Sequence, residues 1–259
     1  MIENDYTRRH RIKERQSISV CMAVHNGSKF IEEQIASIMP QLADKDEVVI
    51  VDDMSVDNTV AIIEEIHDKR IRITRQKSNH GVIQSFGRAL KEAKGEIVFL
   101  CDQDDVWRSD KVGRCLELFR SCPDVSMIVS DRAIIDTSGK IVPESSTKPN
   151  KFHAGILCNL VRNQYQGSAM AFRRNILDYC LPFPADIPMH DSWMGIVSQL
   201  IGKTVFIAEP LLYYRRHASN NTPGTHASLS MMIRWRWALV KNLVSLYMRK
   251  QIYICRENR

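Results

Sequence analysis

From Ser17 to about Asp131, short β-rich runs alternate with stretches of helical periodicity. That alternation confines the chain to βαβ units around a parallel sheet. The runs Ile18–Val24, 47–51, Ile71–Arg75, Ile97–Cys101 and 125–129 read as strands. Between them Ile31, Ile35 and Ile38 recur at helical spacing, as do Val82, Phe86, Leu90 and Ala93, and then Val112, Leu116 and Phe119. Each set offers an apolar stripe to lay on the sheet. Asp57 or Ser55, ahead of Asn58 and Thr59, reads as a helix N-cap. A chain of 259 residues, 44% of them hydrophobic, can bury one such core.

Residues 132–165 lose this rhythm and read as a loop-rich excursion, with regularity returning at 167–173. A helix is expected from Asp191, whose side chain can cap it ahead of Trp193, Ile196, Val197 and Leu200, with short strands at 204–207 and 211–215. The chain divides into a basic extension (1–16), a core (17–228, with halves 17–131 and 132–228) and a basic C-terminal helix (229–259). The formal charge of +6 belongs to the two ends: residues 1–16 hold five Lys/Arg against three Asp/Glu, and 229–259 hold seven against one. The core is near neutral, which excludes the basic face a nucleic-acid-binding domain needs. Seven scattered cysteines without CxxC pairs predict a reduced, cytosolic protein. The absence of a signal-like start or of an apolar run near roughly 18 residues predicts neither export nor membrane spanning.

Ligands of open α/β sheets sit beyond the carboxyl ends of the strands. Three polar segments occupy such places: Asn26-Gly27, Asp52-Asp53-Met54-Ser55-Val56-Asp57-Asn58-Thr59, and Asp102-Gln103-Asp104-Asp105. Asp52 or Asp53 can serve loop amides instead of a ligand. The crowded run Asp102, Asp104 and Asp105 calls for a compensating cation, and a hard divalent ion shared with phosphate oxygens fits carboxylate donors.

The stretch 20–38, the run Val51-Asp52-Asp53-Met54-Ser55-Val56-Asp57-Asn58-Thr59, then Asn79-His80-Gly81-Val82-Ile83 and Phe99-Leu100-Cys101-Asp102-Gln103-Asp104-Asp105-Val106-Trp107 resemble the family 2 glycosyltransferases, and their bacterial rhamnosyltransferase-like branch above all. The resemblance spans roughly residues 17–222. It implies a GT-A type α/β fold: a nucleotide-binding sheet with helices on both faces, continued by an acceptor-binding half and here by the C-terminal basic amphipathic helix. It further implies nucleotide-sugar contacts from Ala23, His25, Asn26, Asp53, Asn79, Asp102, Gln103 and Asp104, with Asp53 on the nucleobase edge. His25 stands where the family often has Tyr, and can still stack on or bond to the base. Gln166, Gly167 and Ser168 resemble the small-residue segment that lines the donor sugar. Tyr214-Arg215-Arg216-His217 resembles the late Arg-x-His element, in which Arg215 faces the diphosphate and His217 joins Asp104 and Asp105 on Mn²⁺ or Mg²⁺.

By the same resemblance Asp191, in Met189-His190-Asp191-Ser192-Trp193, is the general base that takes the acceptor proton. His190 is left without a catalytic role. The implied reaction is an inverting transfer from a nucleotide-sugar donor, dTDP-rhamnose ahead of UDP-hexoses, to a glycan or lipid-linked glycan of bacterial surface polysaccharide. Two rivals remain on the residues alone. A sugar nucleotidyltransferase would need a Gly-rich, Arg-containing loop that Asn26-Gly27-Ser28 does not resemble. A non-catalytic binding or phospho-signalling module would leave the second acidic cluster unused. In the tail, Met232, Trp235, Leu239, Leu243 and Leu246 recur at helical spacing among Arg234, Arg236, Lys241, Arg249 and Lys250. This helix is expected either at an anionic membrane surface, peripheral to the inner face of the cytoplasmic membrane, or docked on its own domain or a second subunit in a homo-oligomer.

Overall fold

The computed structural model describes residues 15–142, 152–217 and 228–257, with side chains of the last segment to residue 249. The basic extension, apart from Arg15 and Gln16, and the Pro/Ser-rich segment 143–151 lie outside the described residues.

Strand β1 (Ile18–Val24) starts the sheet, followed by α1 (Ile31–Ile38), β2 (Glu47–Asp52), α2 (Thr59–Glu65), β3 (Ile71–Arg75), α3 (Val82–Glu92) and β4 (Ile97–Cys101). These four strands are parallel in the order β3-β2-β1-β4, so the chain leaves β1 in one direction and returns on its other side at β4. That reversal opens a crevice beyond the carboxyl ends of β1 and β4. All five residues of β4 are fully buried, as a central strand covered on both faces requires.

The second half departs from a purely parallel plan. After β5 (Val106–Trp107), α4 (Lys111–Ser121) and β6 (Val125–Ile135) come α5 (Ile156–Val161), β7 (Met170–Arg173), α6 (Leu177–Cys180), α7 (His190–Ile201) and β8 (Lys203–Arg215). The eight-stranded order is β3-β2-β1-β4-β7-β6-β8-β5. Strand β7 enters antiparallel between β4 and β6, and β5 pairs antiparallel with β8. The β-run expected at 125–129 continues to Ile135 because β8 pairs along its whole length. The two short strands expected at 204–207 and 211–215 are one bulged strand, with register shifts around Asp131 absorbing the break.

Two expected caps are corrected. Asn58 is the N-cap of α2, and Asp57 supports the helix from one position earlier, accepting the Thr59 amide at 3.0 Å. Met189 is the N-cap of α7, which puts Asp191 inside the first turn. There a negative side chain still meets the positive end of the helix.

Gly95 passes beside the start of β1, its amide donating to Ser19 Oγ at 2.7 Å. A Cβ at that position would lie 2.4 Å from the Ile18 carbonyl carbon and the Ser19 nitrogen. Backbone cannot yield as a side-chain tip can, so Gly95→Ala is expected to cost about 1–3 kcal/mol of stability by overpacking. A urea midpoint equal to wild type would show that the two segments separate freely.

The C-terminal helix α8 (Leu229–Glu257) docks on its own domain, one of the expected alternatives. Leu239 is buried, and Leu243 and Leu246 pack partly against the core. Asn242 holds Asp186 at 2.7 Å. Among the described residues no helix is long and apolar enough to cross a membrane. The six described cysteines are free thiols.

Candidate active site

The loops after β1, β2 and β4 are stitched to one another. His25 Nδ1 donates to the Asp53 carbonyl at 2.8 Å, and its Nε2 accepts from Asn26 Nδ2 at 3.1 Å. Gln103 reaches back from the acidic loop: its Oε1 accepts the His25 amide at 2.8 Å and its Nε2 donates to the His25 carbonyl at 3.1 Å. A Cβ on Gly27 would sit 2.4 Å from Gln103 Oε1, so a side chain there would push the Gln103 tip off the His25 amide. Asn26 adopts φ 51°, a left-handed conformation that Asn tolerates, and its Oδ1 accepts the Val56 amide.

Asp53 is nearly buried: Oδ1 accepts from the His80 amide and Gln76 Nε2, and Oδ2 from the Gly81 amide at 2.8 Å. Asn79 Nδ2 donates to the Asp53 carbonyl at 3.3 Å. Half-buried Ala23 lies at the end of β1, opposite Val51. Asp53 therefore serves loop amides, and the lone pairs of its two oxygens, about four in all, leave room for one further donor. Asp52 is fully buried and accepts the Ser55 amide, a structural duty.

Strand β8 brings its end to the acidic loop because it pairs with β5, which directly follows that loop. His217 Nε2 lies 2.6 Å from Asp104 Oδ2, with the imidazole 5.1 Å from the Phe30 ring. Asp105 is fully buried; its Oδ1 accepts the Arg215 amide at 3.1 Å and its Oδ2 has no partner among the described residues. Burial, reinforced by the charges of Asp102 and Asp104, holds the Asp105 carboxyl well above its ordinary range. Burial and then the Asp104 charge push Asp102 up to about 7. The buried ammonium of Lys111 offsets the rise at Asp102 only in part.

Arg215, which the resemblance sets against a diphosphate, is engaged within the protein. It is 1% exposed, with Nε on the Asp104 carbonyl (2.9 Å), Nη2 on Glu33 (2.6 Å) and the guanidinium 4.8 Å from the Phe30 ring centre. A guanidinium so engaged braces the acidic loop from behind. The neighbouring Arg216 is exposed.

The second half closes on the loop through the turn Gly167–Ala169. Gln166 Nε2 donates to Ser168 Oγ at 3.2 Å, and the nearby Ser168 hydroxyl tempers the rise of the Asp102 and Asp105 carboxyls. The Ser168 carbonyl accepts from Lys111 Nζ at 2.7 Å, a buried ammonium 4.3 Å from the Trp107 ring centre. Burial lowers the Lys111 pKa. Asp191 stands beside Gly167, its Cβ 3.9 Å from where a Gly167 Cβ would be. Its Oδ1 accepts the Ser192 amide at 2.5 Å and Asn163 Nδ2 at 3.2 Å. Burial raises its pKa to about 6, leaving it mostly ionised at neutral pH yet basic enough to accept a proton.

His190, given no role from sequence, is part of this wall. It is 4% exposed, its ring stacks 4.3 Å from Phe86, and neither ring nitrogen has a partner among the described residues. Burial lowers its pKa to about 4, so it is neutral. Its Nε2 would lie 3.1 Å from a Gly167 Cβ, so glycine leaves the space between them open. Lys111 and Asn163 were also missed, because their partners are distant in sequence.

Among the described residues no three His, Cys, Asp or Glu side chains converge as a metal cage. The close Asp104–His217 pair supplies one carboxylate oxygen and one imidazole nitrogen beside the crowded carboxyls of Asp102 and Asp105. Such a donor set fits a divalent ion that completes its shell with phosphate oxygens and water.

The sequence profile described as Glycosyl transferase family 2 matches residues 19–181. An uncharacterized glycosyltransferase of Nostoc sp. is 30% identical over 216 residues, 79% of this chain and 66% of the relative. Staphylococcus aureus TarS 1–349 in complex with UDP-GlcNAc superposes with a TM-score of 0.70 at 19% identity, covering 88% of this chain and 66% of that one. The mannosyltransferase PcManGT from Pyrobaculum calidifontis, in complex with GDP-Man and Mn²⁺, superposes at 0.61 with 21% identity, covering 92% of this chain and 65% of that one. The chain thus spans just under two thirds of the length of these proteins, and the two structures share its fold.

Proposed function

The chain belongs to glycosyl transferase family 2, and from that premise we propose that it is a metal-dependent, inverting transferase using a nucleotide-sugar donor. The observation that carries this reading is the Gly167–Ser168 turn, which lies beside Asp191 and beside the Asp102 and Asp105 carboxyls. A carboxylate suited to proton abstraction thereby lies near the acidic run, whose Asp104 forms with His217 a pair suited to a cation.

In this reading Ala23, His25, Asn26, Asp53 and Asn79 hold the nucleoside, and Asp102 and Gln103 support the ribose and diphosphate. Asp104 and His217 would hold Mn²⁺ or Mg²⁺; Asp105, whose Oδ1 accepts the Arg215 amide, supports them from within. The bound ion supplies positive charge against the diphosphate as it departs. Asp191 takes the proton of the acceptor hydroxyl, whose oxygen forms the new bond to the anomeric carbon as the bond to the diphosphate oxygen breaks. Attack opposite the leaving group inverts the anomeric configuration. Neutral His190, with Gln166 and Gly167, lies where the donor sugar would rest. The proposed donor is dTDP-rhamnose, ahead of UDP-hexoses, and the proposed acceptor a hydroxyl of a glycan or lipid-linked glycan in bacterial surface polysaccharide. Support for the metal comes from the Asp104–His217 pair and the manganese complex of PcManGT.

The test is to offer a panel of nucleotide sugars with Mn²⁺ and follow release of nucleoside diphosphate. Release from one donor class, with an inverted anomer in the product, is expected; pyrophosphate from a sugar phosphate and a nucleoside triphosphate would mark a nucleotidyltransferase instead. The pH dependence is also defined. Asp191 must be ionised to act, so kcat/KM is expected to rise with pH through about 6 and then level off. A flat profile across that region would remove Asp191 as the base.

A further inference from the structure

The docked face of α8 has an apolar counterpart on the opposite side of the same helix. Leu229, Ile233, Trp237, Val244 and Met248 are 72%, 60%, 68%, 50% and 56% exposed. At about 100° per residue they fall within an arc of roughly 100°, facing away from buried Ala238 and Leu239. This is a different stripe from the one read from sequence, which faces the core. Arg236 donates to the Val161 carbonyl, so α5 lies alongside, and its Leu157 and Val161 are themselves 78% and 70% exposed. So many exposed apolar side chains on one helix face, with more on the neighbouring helix, mark an interaction site.

Charge chooses the occupant. Residues 229–259 hold seven Lys/Arg and one Asp/Glu, with Arg234 and Arg236 on the two borders of the stripe. A second copy of this helix would bring like charge against like, whereas an anionic lipid surface complements both the stripe and its borders. We propose that the outer face of α8, extended by α5, docks on an anionic lipid surface, with Trp237 at the headgroup boundary and the basic side chains against lipid phosphates. The helix lies in the interface and does not cross it.

The test uses the full chain in flotation with vesicles of phosphatidylglycerol mixed into phosphatidylcholine, and with phosphatidylcholine alone. Binding to the anionic vesicles is expected, weakening as salt rises. Trp237→Glu and Ile233→Glu should each lower it at least roughly tenfold with an unchanged melting temperature, since both side chains project into solvent. If one variant melts lower, the other carries the test. Absence of flotation with anionic vesicles overturns the proposal, as does equal flotation of wild type and both variants. A wild-type dimer in light scattering that Trp237→Glu dissociates would assign the face to a second copy and overturn it too.

Discussion

Asp191→Asn is expected to lower sugar transfer by roughly 10²–10⁴-fold, the range for loss of a general base. The amide keeps the shape of the carboxylate and an oxygen to accept from the Ser192 and Asn163 donors, but it cannot take a proton. Stability should not suffer. The folded carboxyl titrates near 6, above its ordinary value, so the native state holds this proton more tightly than the unfolded chain. Its contribution is therefore present below about pH 4 and lost as pH rises through about 6. Asparagine removes that loss, and the variant should melt no lower than wild type at neutral pH. Donor affinity, read by calorimetry with a nucleoside diphosphate and Mn²⁺, should also persist. Transfer within a few-fold of wild type would identify another group as the base.

Asp104→Ala should be comparably damaging, at least roughly 10³-fold, because it removes charge stabilisation of the departing diphosphate. Its thermal signature separates it from a folding defect. Without metal, deleting one carboxylate from a like-charged cluster should leave the melting temperature equal or higher. With Mn²⁺ and nucleoside diphosphate, wild type should gain stability by ligand binding and the variant should not. Asp105→Asn keeps an oxygen for the Arg215 amide and should retain the metal-dependent gain. A gain preserved in Asp104→Ala and lost in Asp105→Asn would exchange the two roles.

Much of the nucleotide half was legible because its elements are locally coded. Strands β1, β3 and β4 run as the alternation predicts, and the stripes of α1, α3 and α4 bury Ile35, Phe86 and Phe119. The second half was less so, since β7 and β5 owe their places to antiparallel pairing with strands far along the chain. Site residues followed the same division. The stitched set His25, Asn26, Asp53, Asn79 and Gln103 comes from strand ends readable in sequence. The inward turn of Arg215 depends on Glu33 and Phe30, more than 180 positions away. The burial of His190 depends on Phe86, and nothing around His190 in sequence announces it. In α8 a single helical period hid two apolar faces, and only packing distinguished the docked one from the exposed one.

The central claim is that Asp104 and His217 hold a divalent ion on the diphosphate of a nucleotide donor. Crystals grown with Mn²⁺ and a nucleoside diphosphate, measured at the manganese absorption edge, test it directly. The predicted result is an anomalous peak in contact with Asp104 Oδ2, His217 Nε2 and the diphosphate, beyond the ends of β1 and β4. A nucleoside diphosphate bound there with no manganese on these two side chains, or manganese held elsewhere in the protein, would contradict it.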